Sequence, residues 1–374
     1  MHIVHIITGL DDGGAEGVLF RLCAVSPGDH VVVSLTGEGK YGPLLRAKGV
    51  AVHTLGMPRG RLRASALRRL YVLLRTIHPE VVQTWMYHAD LIGGIVARLA
   101  GCRRVFWNVR NSDLKAGSAS WSTIATMRLS ALLSRWVPER IACCAHAAAE
   151  LHQALGYARS KFVIIPNGID GRRFRIEPSL AHAWRARHGI AEDTRLLGMV
   201  GRFAPQKDHL NLIEALRLVR SFGHEVSCVL VGNGVDERSS TLVDAIEEAG
   251  LAGSVRLLGS TNDVPAVMNA IDVHVLSSRY GEAFPNVVAE AMACGTPCVV
   301  TDVGDARLIV RDTGWVVPPG DAQSLAHAID AALRERERGA AWEDRCRRAS
   351  ESVHAAYAMP TMVRSYERMW RSHA

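Results

Sequence analysis

The 374-residue sequence lacks any long unbroken apolar run. None reaches the roughly 18 residues needed to cross a bilayer, so no membrane-spanning helix is expected. Its eight cysteines form no Cys-x-x-Cys pair, which argues against zinc-ribbon and thioredoxin-like chemistry. Several of them sit inside apolar runs, where a free cysteine acts as a small hydrophobe, a pattern suited to a reducing cytoplasm. There is no low-complexity segment and no repeat of solenoid period. The N-terminus, Met1 to Ile7, has no basic leader and soon meets Asp11 and Asp12. It is expected to be a first strand rather than a signal peptide.

What is present suits two globular domains of about 150–200 residues each. The hydrophobic fraction is 48% and the charged fraction 22%, enough for two cores and an ordinary polar surface. The net charge of +7 is unevenly spread. Residues 1–172 hold 21 Lys and Arg against 11 Asp and Glu, a balance of +10, and the remainder is −3. A basic half either attracts acidic partners (nucleic acid, anionic lipid, a phosphorylated substrate) or is simply a well-solvated surface.

Short β-rich runs alternate with helical stretches, the pattern of parallel sheets. In the first half, strands are expected at 2–7, 30–35, 50–54, 80–84, 104–109 and 140–143. A helix is expected from about Glu16, and a basic amphipathic helix over 61–77. The run Val163-Ile164-Ile165-Pro166-Asn167-Gly168 reads as a strand closed by a turn, the end of a domain. A second series follows, with strands at 196–200, 226–231, 255–258, 272–276 and 298–301. Its helices are expected near 179–188 and at 209–221, 237–250 and 286–294, with a terminal helix at 355–372. Two doubly wound units in series imply ligands at the carboxyl ends of the strands.

Three places carry chemistry. Gly13-Gly14 lies between the first strand and a helix, where bare backbone and a helix N-terminus suit an anion. A tight turn explains it equally well, and Glu16 is a poor neighbour for phosphate. Arg202 and Lys207 lie five apart on a loop after a buried strand. Together they can converge on a diphosphate, one as a planar fork and one as a point charge. The alternative is two solvated surface cations. Glu282 and Glu290 lie eight apart around Phe284-Pro285-Asn286-Val287. Pro285 or Asn286 opens a helix that Gly295 ends and Pro297 stops. Two carboxylates so placed can hold sugar hydroxyls, with the helix N-terminus between them for phosphates. The alternative is two exposed acids, although a carboxylate embedded unpaired in an apolar helix is costly.

The run Arg202…Lys207, Val231-Gly232-Asn233-Gly234, Leu258-Gly259…Asp263-Val264-Pro265 and Glu282…Glu290 resembles retaining glycosyltransferase family 4 of the GT-B fold. Pro166-Asn167-Gly168-Ile169-Asp170 and Gly13-Gly14 extend the likeness over nearly the whole chain, and it looks most like bacterial surface-polysaccharide members. The resemblance implies an α/β protein of two Rossmann-like doubly wound domains facing across a cleft. Residues 1–170 would bind the acceptor and 171–354 the nucleotide sugar, with the helix 355–374 packing back on the first domain. Arg202, Lys207 and Glu282 would be catalytic, the two cations on the donor diphosphate and Glu282 on the donor sugar. Glu290 would hold the ribose. Phe284, Pro285, Asn286 and Val287 would offer main-chain amides, Val264 would border the base, and Gly14 would approach the diphosphate from the other domain.

No metal and no other cofactor is expected, because the chain contains no Asp-x-Asp and the cations can serve instead. The expected partners are a nucleotide-sugar donor and a glycan or lipid-linked acceptor. Peripheral contact with an anionic membrane, rather than nucleic acid, accounts for the basic half. The expected location is the cytoplasm, including the inner face of its membrane. Two departures stand out. Ala283 replaces the glycine many relatives carry after the first glutamate. The loop Trp107-Asn108-Val109-Arg110-Asn111-Ser112-Asp113 holds no histidine where many relatives have one; His88 is the nearest candidate, and it also reads as a satisfied helix-terminal histidine. An epimerase or hydrolase on the same fold, or a non-catalytic binding subunit, remains open at this point.

Overall fold

A computed structural model describes residues 1–11, 13–58, 61–110 and 121–372, with side chains described from residue 123 in the last stretch. Contacts divide the chain into two compact units, Met1–Asn167 with Met362–Ala374, and Gly168–Thr361.

In unit 1 the strands are β1 (Ile3–Ile7), β2 (His30–Ser34), β3 (Ala51–Thr54), β4 (Val81–Trp85), β5 (Val105–Val109), β6 (Arg140–Cys143) and β7 (Phe162–Ile164). They form a parallel sheet of order β3-β2-β1-β4-β5-β6-β7. The central strands β1, β2, β4 and β5 are buried along their whole length, because helices cover both faces of a parallel sheet. Unit 2 repeats the plan with β8 (Leu196–Val200), β9 (Ser227–Val231), β10 (Val255–Leu257), β11 (Val273–Leu276), β12 (Cys298–Thr301) and β13 (Trp315–Val317). Their order is β10-β9-β8-β11-β12-β13, again parallel. Its core joins strand residues such as Leu197, Leu230 and Val275 to Leu212, Leu216 and Ile329 on the covering helices.

The basic amphipathic helix is Ala64–Ile77; Arg63 is its extended N-cap, so residues 61–63 lie outside it. Arg59, which with Arg61, Arg63, Arg68, Arg69 and Arg75 makes the basic cluster of this part of the sequence, falls outside the described residues. The end of the chain differs from the single helix expected at 355–372. One helix runs from Ala340 to Tyr357 and a second from Met359 to Arg371. Between them Ala358 is extended and forms a bridge with Ile169: Ile169 N donates to Tyr357 O at 2.7 Å and Met359 N to Ile169 O at 3.0 Å. Pro360 cannot donate to a preceding turn, so the break falls where its missing N–H costs least. The last helix buries Met362, Tyr366, Met369 and Trp370, one stripe at helical spacing. Trp370 Nε1 donates to Gln83 Oε1 on β4 at 2.9 Å, and Asn108 Nδ2 on β5 donates to Tyr366 Oη at 2.8 Å.

Candidate functional site

Parallel strands send all their carboxyl ends to one edge of the sheet, and a crevice opens where the order of strands reverses. In unit 2 that point lies between β8 and β11. Two loops end there, 201–208 after β8 and 277–285 after β11.

The first loop is tied to the segment after β9. Gly201 N donates to Val231 O and Phe203 N to Asn233 O, both at 2.8 Å. A side chain on Gly232 would overlap the Gly201 carbonyl, so glycine alone allows the two segments this close. The Lys207 stem lies over Gly201, and Nζ reaches Glu282 Oε1 of the second loop at 2.6 Å. Ser278 Oγ donates to the same oxygen at 2.7 Å. Gln206 Nε2 donates to Gly281 O at 2.9 Å, and Arg279 N to Gln206 O at 2.8 Å. The two loops are thus stitched by backbone and side chain together. Behind Glu282, Gly304 sits at φ 58° where a side chain would overlap the carbonyls of residues 282 and 283, and Asp305 N donates to Ala283 O at 2.9 Å.

Lys207 and Glu282 have only 14% and 9% of their side chains exposed. Sequence reasoning gave them separate ligand contacts; the fold joins them in one ion pair. A charge this buried is costly without a partner, and each supplies the other's. Arg202 is different: it is exposed, and among the described residues no ion pair reaches it. The positive Lys207 has a further effect. Burial first, and Lys207 second, lower His209 to about 4 and His274 to about 3, so both are neutral at pH 7.

Glu282 leads into the helix Asn286–Ala293, whose N-cap is Pro285. Proline has no side-chain group to cap it with, and a helix N-terminus suits an anion. Phe284 is buried edge-on against Tyr357, with ring centroids 5.1 Å apart, and Pro285 is buried beside it. Asn286, Val287 and Glu290 are half-buried, Glu290 being the fifth residue of the helix. Val264 is half-buried and opens the helix Val264–Ala270, which the sequence pattern had not shown. Ser278, Gln206 and Gly304 were also missed. Gly304, three residues past the end of β12, was the one with a visible signal.

Unit 1 carries its own features at the corresponding edge. Gly14 is exposed and opens the helix Gly14–Cys23, but the Glu16 carboxylate folds over Gly13, so an acid already faces that helix end. Asp12 lies outside the described residues, as do Asn111, Ser112 and Asp113 of the loop without histidine. After β4, Met86 takes a left-handed φ of 71°, and His88 precedes a π-helical turn, Ala89–Gly93. His88 is half-buried and its pKa is lowered by that burial. It lines a cavity of about 490 Å³.

Away from both edges, the one group of metal-ligand types among the described residues is His5, Cys23 and His30. It is fully buried, and Trp85 Nε1 donates to His5 Nδ1 at 3.1 Å while His5 Nε2 meets His30 Nδ1 at 2.9 Å. Indole only donates, so His5 is protonated on Nε2 and donates onward to His30. These contacts account for the cluster as a hydrogen-bonded core group. No helix among the described residues is long and apolar enough to cross a membrane.

Two Rossmann-like units, each a parallel sheet with one reversal of strand order, have the architecture of the GT-B fold. Comparison with known proteins agrees. The model of glycosyltransferase family 4 matches residues 12–173, and that of glycosyl transferases group 1 matches residues 181–349. The two models together span most of the chain and support a group 1 glycosyltransferase. It is 34% identical to the phosphatidyl-myo-inositol mannosyltransferase of Mycobacterium leprae, over 55% of this chain and 54% of that one, so the match spans about half of that relative. It is 27% identical to the UDP-Gal:alpha-D-GlcNAc-diphosphoundecaprenol alpha-1,3-galactosyltransferase of Escherichia coli, over 71% of this chain and 69% of that one. Among solved structures it resembles Anabaena HepE in complex with UDP, with a TM-score of 0.86 at 22% identity, covering 98% of this chain and 99% of that one.

Proposed function

We propose that the chain moves a hexosyl group from a nucleoside-diphosphate sugar to an acceptor hydroxyl with retention of configuration, in the assembly of bacterial polysaccharide, lipopolysaccharide or capsule. Unit 2 takes the donor and unit 1 the acceptor. The observation that carries this reading is the buried Lys207–Glu282 pair beside the uncapped helix end at the strand reversal of unit 2. Support comes from HepE, solved with UDP and with UDP-glucose.

In the reaction, the bond from the sugar's anomeric carbon to the diphosphate oxygen breaks and the electron pair leaves with the nucleoside diphosphate. A new bond forms from that carbon to the acceptor oxygen, whose proton is released. Charge growing on the leaving diphosphate is met by Arg202, by Lys207 and by the N–H groups of residues 284 to 287. Lys207 then shares itself between phosphate and Glu282, and this leaves Glu282 oriented for the donor sugar. Glu290, deeper in the helix, takes the ribose hydroxyls, and Val264 borders the base. Because these cations neutralise the leaving group, no divalent metal is required. The eight free cysteines suit action in the cytoplasm, and the basic first half suits peripheral contact with an anionic membrane face.

Calorimetry with nucleoside diphosphates and their sugars, followed by NMR of the glycosidic product, tests this. Binding of a nucleotide sugar and an axial-to-axial or equatorial-to-equatorial product are expected. An inverted product removes retention, and no binding of any nucleotide sugar removes the donor site. Activity lost in a chelator and restored by magnesium or manganese removes metal independence.

A further inference from the structure

The cavity in unit 1 is built from segments far apart in the chain that meet at the carboxyl ends of β3, β2, β1 and β4. Taken in that order, its lining changes character. The segment after β1 is polar, with Thr8, Asp11 and Glu16. To one side, the segment after β3 brings Met57 and Leu62, with Leu35 from the end of β2. To the other, the turn after β4 brings Leu91 and Ile92, next to the neutral His88. Leu62 is 64% exposed, an uncovered apolar side chain at the edge of a largely apolar cavity.

Each part narrows the ligand. Two carboxylates disfavour an anion in the polar part but accept hydrogen bonds from hydroxyls. His88, kept neutral by burial, can accept or donate one more. The flanking leucines, isoleucine and methionine stabilise only what removes their surface from water, and a bare sugar does this poorly. A cation, Arg61, stands beside Leu62 on the apolar side. It belongs to a stretch between Glu38 and Glu80 that contains nine Lys and Arg and no acid. A phosphate between sugar and hydrocarbon would meet that cation rather than the two acids.

We propose that this cavity is the acceptor site and that it selects an amphipathic acceptor, a sugar joined to a hydrocarbon group, with the hydrocarbon seated on Leu35, Met57, Leu62, Leu91 and Ile92. This rests on unit 1 taking the acceptor, and it adds the class of acceptor.

The test is calorimetric binding of methyl, butyl and hexyl glycosides of glucose, galactose and mannose to the full chain, without donor and below micelle formation. For at least one sugar, the hexyl glycoside should bind at least about tenfold more tightly than the methyl glycoside, since each buried methylene adds favourable transfer energy. Leu62→Asp, an exposed position that the fold tolerates, and Leu91→Asp should each shrink that ratio severalfold while nucleoside-diphosphate binding in unit 2 stays as it was. Equal binding of methyl and hexyl glycosides, or a chain-length effect that survives both substitutions, overturns the proposal. Because the glycosides are measured without donor, a protein that binds them but no nucleotide sugar loses the transferase reading while this site stands.

Discussion

In unit 2 the strand reversal between β8 and β11 is closed by two stitched loops, a buried ion pair and a helix end; in unit 1 the reversal between β1 and β4 opens into a cavity with apolar flanks. The strand order is the same around both reversals. What differs is the loop chemistry. Glycines at 201, 232 and 304 let backbone crowd around Lys207 and Glu282 in unit 2. In unit 1 Leu35 follows β2 as Gly232 follows β9, Met57, Leu91 and Ile92 line the cavity beside it, and the helix end after β1 is already faced by Glu16. The fold supplies a crevice twice, and side chains make one polar and closely stitched and the other largely apolar.

The sharpest way to separate the units is to damage one core and read the other's site. Trp370→Ala should cost unit 1 about 3–5 kcal/mol, since it removes a nearly fully buried indole and strands the Gln83 amide. Guanidinium unfolding should show a transition that moves to lower denaturant. Nucleoside-diphosphate binding should persist under mild conditions. Loss of that binding together with the core would erase the division between the units.

Next comes the ion pair. Lys207→Ala should lower kcat/KM by about 10²–10³-fold and weaken nucleoside-diphosphate binding more than nucleoside binding. Glu282→Gln leaves Lys207 free for phosphate, so it should keep nucleoside-diphosphate affinity and lose turnover. Glu290→Gln should weaken the bare nucleotide as well as the sugar nucleotide. Calorimetry on the three variants checks the assignment, and a Glu282 variant that loses the bare nucleotide would reverse it.

Glycine substitution gives a smaller contrast. Gly304→Ala should destabilise by about 1–3 kcal/mol, because its left-handed φ and the carbonyls of 282 and 283 leave no room. Gly14→Ala in unit 1 meets nothing within 4 Å and should leave the melting temperature nearly unchanged. Equal effects at the two sites would mean that the loops of unit 2 are not held as tightly as the contacts indicate.

The smallest effect per step is acid sensitivity, and both units should share it. Burial lowers His5 strongly and His30 to about 4 in unit 1, and His209 to about 4 and His274 to about 3 in unit 2. The unfolded chain takes up these protons near pH 6.5, whereas the folded chain refuses them until nearer pH 4. Stability is therefore full above about pH 6.5 and falls as pH drops toward 4, by roughly 1 kcal/mol per pH unit for each group. Melting temperatures between pH 7.5 and 4.5 check the slope, and His274→Val should flatten it for unit 2 alone.

Much of the architecture was legible along the chain. Alternating apolar runs marked all of the strands in unit 2 except β13, and six of the seven in unit 1 were marked, with β7 read as the strand that closes the first domain. Pro285 and Gly295 bracketed the helix between Glu282 and β12. These signals are local: strand and helix periodicity, caps and turns act over a few residues, so a sequence carries them openly. The short helix Val264–Ala270 and the long helices Ala322–Arg336 and Ala340–Tyr357 were not seen. Nor was the interruption at Ala358, which depends on pairing with Ile169 far upstream.

The residue types of the unit 2 crevice were determined by the sequence, namely two cations, two carboxylates and a proline-opened helix. Only the tertiary structure decided that Lys207 and Glu282, 75 residues apart, form one buried pair while Arg202 stays in solvent. The unit 1 cavity was equally hidden, because its lining is drawn from residues 8 to 126 and no stretch of it is unusual alone. Contacts between distant residues are set by strand order, register and close packing, and composition and periodicity do not encode these in any single window.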